Sequence, residues 1–384
     1  MLKEQMIQYI DSIESEMIDY WKHIVLLESN SYYKSGVDAV GRDLNRFCQE
    51  QLGYYTRFEE DTVYGNCLAA CSCPFDAFEN GIVLSAHMDT VHKAGYFDPV
   101  IAQDDAYLYG PGAGDCKGGI IMALTAARAL KEIGYSNRPV KLLFAADEEI
   151  GSPVGRRFYP RELIGCDYMF NAESGFRNQV VTGRKASLIA IYAITGQGAH
   201  IGYLKDKPKS AIREAALKLL ALEDASDYDT LTFCGGVIHG GNVATSVPAD
   251  CRLEVNVRIK NADYIDKAIT ILKDAAETTF VPGTTCNLEI RGKLFPMNAC
   301  EENDALCNAF SESSVELGFG EFEGIFVGGA SDAAYASQLG IPVICATGPI
   351  VDFQHTRNER VMTASMAQRA KTHVLTILKL SDML

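Results

Sequence analysis

The sequence predicts an α/β fold: a central mixed sheet flanked by helices, interrupted by an inserted domain of βαββαβ order. Three observations predict it. Short apolar runs bounded by turn residues, the mark of buried strands, alternate with longer segments of helical spacing before residue 187 and again after 302. Between them the order changes to strand, helix, strand, strand, helix, strand, which matches the ferredoxin-like motif. Finally, three acidic or histidine-bearing segments each close an apolar run: V-L-S-A-H-M-D-T-V (83–91), Y-G-P-G-A-G-D-C-K-G-G (109–119) and L-L-F-A-A-D-E-E-I-G-S (142–152). Open α/β sheets place their chemistry at such strand ends.

Apolar residues at helical spacing (Met6, Ile7, Ile10, Ile13, Met17, Ile18, Trp21, Ile24) predict a helix over 1–29, and 35–52 repeats the pattern. Residues 54–70 alternate as strands do, and 81–86 reads as a buried strand leading into His87. After the Asp115 loop, 119–133 predicts a helix with Ala123, Ala126 and Ala127 on its packing face. The strand over 139–146 ends at Asp147, Glu148 and Glu149, and that over 167–172 ends at Glu173. In the insertion, strands fall at 187–195, 231–239, 251–260 and 286–291, and helices at 210–222 and 264–279. The α/β order then resumes with helix 303–317, strand 324–327, helix 332–339, strand 341–346, a loop carrying His355, and a closing helix over 363–380. The expected domains are 1–186 with 296–384, and 187–295.

Composition narrows the function. The chain of 384 residues is 47% hydrophobic and 22% charged, ordinary for a globular protein. Its formal charge of -15 opposes binding to nucleic acid or anionic membranes, which both need a positive field. The N-terminal segment carries acids inside its apolar pattern rather than a signal-peptide core, and no run reaches the roughly 18 apolar residues of a membrane span. A cytoplasmic protein is expected, with its 12 cysteines reduced. Cys67, Cys71 and Cys73 lack the fourth ligand of a structural zinc site.

One imidazole and several carboxylates converging at a sheet edge repel one another unless a cation is present, so the segments predict a metal site. Zinc takes imidazole nitrogen and carboxylate oxygen, and a metal pair sharing one carboxylate polarises a carbonyl and activates water. Candidates exist for every place: His87 and Glu173 on one ion, Glu149 and His355 on the other, Asp115 between them. Glu148 and Glu149, as neighbours on an extended segment, point opposite ways, so one can ligate while the other holds a proton. Asp89 lies on His87's side of the chain, where it can accept the second ring N–H. The glycines around Asp115 are not a phosphate loop, because Lys117 precedes its glycines and the central acid repels phosphate. Cys116 is a conceivable thiolate ligand, but its side chain is expected to point away from that of Asp115. Lys117 is a candidate for holding that loop. His23, His92, His239 and His373 are read as structural or solvent-exposed.

Taken together and in order, these segments resemble the di-zinc metallopeptidase family of aminoacylases, bacterial glutamate carboxypeptidase, succinyl-diaminopimelate desuccinylase and tripeptidases. The likeness runs through H-M-D at His87, the Asp115 loop, D-E-E-I-G-S, N-A-E-S-G at Glu173, G-Q-G-A-H at His200, G-G-A-S-D-A-A-Y-A at 328–336, and the late His355. The late segment most resembles glutamate carboxypeptidase. The resemblance implies a zinc-peptidase type of catalytic domain and an inserted lid that mediates dimerisation. It also implies two divalent metals, zinc first, with cobalt or manganese as alternatives. His87, Asp115, Glu149, Glu173 and His355 match the metal ligands, Asp89 the carboxylate behind His87, and Glu148 the general base. His200 matches a histidine that reaches a partner subunit's site to stabilise the oxyanion, and Arg258 an arginine that grips the substrate carboxylate. A cis peptide between Asp115 and Cys116 is also implied. Two departures fall on substrate recognition: Thr245 stands where an asparagine is usual, and Lys293 where glutamate carboxypeptidase has an arginine.

The expectation is therefore a metal-dependent hydrolase cleaving a peptide or N-acyl bond next to a free carboxylate, as a glutamate-carboxypeptidase-like exopeptidase. An N-acyl-amino-acid deacylase, a di- or tripeptide aminopeptidase, and a catalytically silent relative are the alternatives. A thiolate zinc-storage protein would rest on the cysteines alone.

Overall fold

The structure, a computed structural model, describes residues 2–383, apart from the side chains of residues 292–294. The chain forms two compact units, one of Met1–Gly183, Ala299–Val327 and Ser331–Leu384, the other of Arg184–Asn298 with Gly328–Ala330.

The first unit is built on a six-stranded mixed sheet. Its spatial order is Tyr55–Glu59, Cys67–Cys71, Val140–Ala145, Gly81–His87, Cys166–Asn171 and Val343–Ile344. The first two strands form an antiparallel hairpin, and Cys67–Cys71 runs antiparallel to Val140–Ala145; the remaining neighbours are parallel. Every residue of Cys67–Cys71, Gly81–His87 and Val140–Ala145 is buried, as expected for strands covered by helices on both faces. The helices include Leu2–Leu26, Gly119–Glu132, Glu301–Glu316 and the closing Thr363–Leu380.

Parallel register is what assembles the site. His87 pairs with Ala145 and Ser85 with Asn171, so the segments after His87, Ala145 and Asn171 leave the sheet at one edge. Helix Gly119–Glu132 begins against the last of these. A Cβ on Gly119 would lie 1.9 Å from the Ala172 carbonyl oxygen, so only glycine lets the helix start so close to the strand end that carries Glu173.

In the closing helix His373 packs edge-on against Phe170 and Phe310, with ring nitrogens 2.7 Å from the Arg369 carbonyl oxygen and 3.0 Å from Thr347 Oγ1. Burial pushes its pKa down to about 3, which makes it a neutral core residue, in line with its structural reading.

The second unit has the ferredoxin-like arrangement. Its antiparallel strands lie in the order Leu231–Gly240, Asp250–Ile259, Ala186–Thr195, Thr285–Leu294, with helices Ala211–Asp224 and Ile265–Glu277 in the connections. Leu188, Ala190, Tyr192 and Ile194 alternate along one strand and Leu253, Val255, Val257 and Ile259 along its neighbour, forming a core with Ala211, Ala215, Ala268 and Leu272 of the helices. Buried Lys218 donates to the Ala275 and Thr278 carbonyl oxygens at 2.6 and 2.5 Å, neutralising the last turn of the second helix.

The structure adds several elements and details to the sequence reading. The strand pattern over 54–70 resolves into a hairpin, because Asp61 accepts the N–H groups of Val63 and Tyr64 and turns the chain. A helix at Gly155–Glu162 contains Pro160, whose presence hides it from periodicity. Strand Gln179–Arg184 has only Val180 and Val181 as apolar residues and so shows no apolar run, while the strands of the small sheet, Ala102–Gln103, Tyr107–Tyr109, Val351–Asp352 and Arg360–Met362, are too short for a periodic signal. Among the described residues no cysteine is in a disulfide, and no helix is long and apolar enough to cross a membrane.

Candidate active site

The candidates of the first unit lie on five segments, one carrying His87 and Asp89, one Glu148 and Glu149, and the others Asp115, Glu173 and His355, and the segments are tied together beneath the site. His87, the last residue of its strand, is buried, with Nδ1 3.0 Å from the carbonyl oxygen of Asp89 and 3.3 Å from Asp89 Oδ1. Its ring proton is therefore held on the Asp89 side. Nε2 faces Asp115 Oδ1 at 3.3 Å and Glu173 Oε2 at 3.6 Å. On the other side, His355 Nε2 is 3.2 Å from Asp115 Oδ2 and 3.3 Å from Glu149 Oε2. The two oxygens of one carboxylate thus face two different imidazoles, each accompanied by a further carboxylate.

Asp89 holds this arrangement from behind. Its oxygens accept the N–H groups of Glu148 and Glu149 at 3.2 and 3.3 Å and the Ser31 hydroxyl at 2.6 Å. Glu148 and Glu149 therefore do not sit on an extended segment, as the alternation argument supposed. They occupy a short 3₁₀ turn, Glu148–Ile150, closed by Gly151 in the left-handed region at φ 84°, and it is this turn that separates their directions.

The Asp115 loop is pinned from several sides. Trp21 Nε1 donates to the Ala113 carbonyl oxygen at 2.9 Å, and buried Lys117 donates to that of Leu27 at 3.0 Å. Burial lowers the pKa of Lys117 to about 7. The Asp115–Cys116 peptide is cis, as the resemblance implies. Cys116 Sγ donates to the Ala172 carbonyl oxygen at 3.0 Å and lies on the side of His87 and Glu173. Burial raises its pKa well above the ordinary thiol value, so it acts as a neutral donor tying the loop to the strand end.

The electrostatics fit a cation. Burial and then the charge of Glu173 raise Glu148 well above the usual carboxylate range. Burial, partly offset by His355, raises Glu149 to about 7. Bonds to Asp115 and Glu149 raise His355 to about 10, while Asp115, despite burial, is held low by His355 and His87. Each imidazole is thus drawn toward positive charge by the carboxylates around it. Glu149 Oε1 is also buried without a hydrogen-bond partner among the described residues, a costly arrangement that a cation relieves. His87, Asp115 and Glu149 present ligand atoms within 4.8 Å of one another, as do His87, Cys116 and Glu173. The donor set, imidazole and carboxylate, suits a divalent metal of the zinc type.

The remaining candidates belong to the inserted unit. His200 is exposed; its Nδ1 accepts the Gly202 N–H at 3.1 Å, so a neutral ring keeps its proton on Nε2. Its backbone pairs with Ser246, and the carbonyl oxygen of Thr245 accepts the Ile201 N–H. Arg258 donates to Asn256 Oδ1 and to the Gly328 carbonyl oxygen, and burial lowers its pKa. The side chain of Lys293 lies outside the described residues.

Two residues of the first unit escaped the sequence reading, Ser31 on Asp89 and Glu359 beneath the Asp115 loop. Ser31 follows a helix with no motif around it. Glu359 stands four residues after His355, and that closeness was the one available signal.

Comparison with known proteins agrees with this geometry. The pattern of peptidase family M20/M25/M40 matches residues 83–379. The chain is 28% identical over 301 residues to carboxypeptidase G2 of Pseudomonas sp. (strain RS-16), covering 75% of this chain and 71% of that protein. It is 27% identical over 299 residues to succinyl-diaminopimelate desuccinylase of Wolinella succinogenes, covering 72% of this chain and 78% of that one. The fold superposes on a tripeptidase from Staphylococcus aureus with a TM-score of 0.78 at 21% identity, over 96% of this chain and 99% of the other. With the fold, the gathered histidines and carboxylates and the matched span in agreement, the chain belongs to peptidase family M20/M25/M40 and is a metal-dependent hydrolase of that family.

Proposed function

We propose that this hydrolase is a glutamate-carboxypeptidase-like exopeptidase, cutting a peptide or N-acyl amide bond next to a free carboxylate. The carrying observation is Asp115, whose two oxygens face His87 and His355 at 3.3 and 3.2 Å. Two divalent cations, zinc first with cobalt or manganese as alternatives, would be held by His87 and Glu173, by Glu149 and His355, and by Asp115 between them. Bound there, they supply Lewis acidity toward a carbonyl oxygen and lower the pKa of water.

The chain's own residues do the rest. Glu148, kept basic by burial and by Glu173, takes a proton from the attacking water as the new C–O bond forms. It returns that proton to the leaving nitrogen as the C–N bond breaks. Asp89 keeps the His87 ring turned with Nε2 forward. His200, through its Nε2–H, would donate to the developing oxyanion in the site of a partner subunit. Arg258 offers a planar fork for the substrate carboxylate, with Thr245 and Lys293 as further contacts that tune substrate choice.

Similarity to carboxypeptidase G2 supports the carboxypeptidase reading, and similarity to a desuccinylase keeps an N-acyl-amino-acid deacylase as the alternative. The fold likeness to a tripeptidase keeps aminopeptidase action in the comparison. Glu148 argues against a silent relative, since loss of the base is a short route to silence. The test is amine release from N-acyl-glutamates, acetylated amino acids and free di- and tripeptides with zinc or cobalt added. N-acyl-glutamates are expected to turn over fastest. Turnover confined to substrates with a free amino terminus would exclude the carboxypeptidase.

We also propose that the inserted unit mediates a homodimer. Its exposed apolar side chains, among them Ile189, Val237, Ile238 and Tyr203, support this. Light scattering should give twice the 42.0 kDa of one chain, and a monomer at all concentrations would sink it.

A further inference from the structure

Glu359 is fully buried, yet it touches none of the ligand atoms described above. Its Oε1 accepts the backbone N–H groups of Gly114 and Asp115, each at 3.1 Å, and its Oε2 is 2.8 Å from His92 Nε2. Burying a lone carboxylate is expensive, so its partners deserve a reason, and they are the segments of the site. His92 follows His87 and Asp89 on one of them; Gly114 and Asp115 belong to the second. Glu359 itself sits on the third, where its own N–H bonds the Thr356 carbonyl oxygen at 3.2 Å, closing a turn directly after His355. The next residue, Arg360, pairs with Tyr109 at the entry to the Asp115 loop.

One side chain thus sets the spacing among the segments that carry His87, Asp115 and His355. The held group is the amide of Asp115, the residue that faces both imidazoles. A shift of that backbone moves both of its carboxylate oxygens together. His92 is in turn fixed by stacking on Tyr96 at 5.7 Å and by an edge contact to Phe97 at 5.0 Å.

We infer that Glu359 is a positioning residue for the two-cation site, holding Asp115 at the spacing that lets one carboxylate serve both imidazoles, with His92 as its anchor. The inference rests on the ligand set proposed above. It assigns Glu359 no contact with substrate or reacting atoms.

The test is cobalt(II) titration of the chelator-stripped full chain, followed by visible absorbance, for the natural protein, Glu359→Gln and His92→Phe. Melting of each stripped protein is measured alongside. Glu359→Gln keeps the size of the side chain and an oxygen for the two N–H groups but loses the charge. It should weaken cobalt binding about 10- to 100-fold, the usual effect of losing a group that orients metal ligands, with little change in melting of the stripped chain. His92→Phe keeps the ring stacking, removes one contact and should weaken binding in the same direction but less. It also decides the matter if the glutamine variant fails to fold. Natural cobalt affinity in a folded variant, or a fall in melting temperature with affinity intact, would reduce Glu359 to a structural role. If the natural protein itself binds no cobalt, the ligand assignment fails and takes this inference with it.

Discussion

Glu148→Gln is expected to keep its metal and lose roughly 10²- to 10⁴-fold in kcat, the range for removing a general acid-base group. The amide has the shape of the carboxylate but cannot accept the proton that water must lose. The backbone bonds that place the turn come from the N–H groups of Glu148 and Glu149 to Asp89, and substitution of the side chain leaves them intact. The loss should therefore appear in kcat with metal content unchanged. Metal analysis beside initial rates at saturating substrate checks both at once, and near-natural turnover would remove Glu148 as the base.

Asp115→Asn is expected to be as damaging for a different reason. The amide offers one oxygen and one NH2 where the native residue turns an oxygen to each imidazole, at 3.3 Å from His87 and 3.2 Å from His355. One side must lose a lone pair, and the site loses a negative charge. Metal content should fall below that of the natural protein. Activity should drop on the order of 10³-fold, since Lewis-acid stabilisation is worth several kcal/mol and about 1.4 kcal/mol is tenfold. Elemental analysis after gel filtration is the decisive measurement. Full metal content in a folded Asp115→Asn protein would show that the carboxylate is not shared.

The parts of the molecule legible in its sequence were those where a short-range rule speaks. Buried strands such as Gly81–His87 and Val140–Ala145 announce themselves as apolar runs because helices cover both faces. The alternation of Leu188, Ala190, Tyr192 and Ile194 marks a one-sided sheet. Helix Gly155–Glu162 stayed hidden because its proline argues locally against the conformation that tertiary packing imposes. Within the site, His87, Asp115, Glu149, Glu173 and His355 were named from chemistry and position. Ser31 and Glu359 were not, because their partners lie 58 and about 245 residues away and are partly backbone groups, which carry no side-chain signature. The separation of Glu148 from Glu149 was anticipated with the wrong geometry: pleat alternation was assumed where a tight turn exists.

That turn has a consequence for anyone wishing to retune the enzyme. Because the amides of both glutamates hang from a single aspartate, altering Asp89 drags the proposed proton carrier, Glu148, and the proposed metal ligand, Glu149, along the same path. Adjusting the acidity of the proposed carrier separately calls for substitutions around Glu173, its principal charged neighbour, just beyond the end of strand Cys166–Asn171.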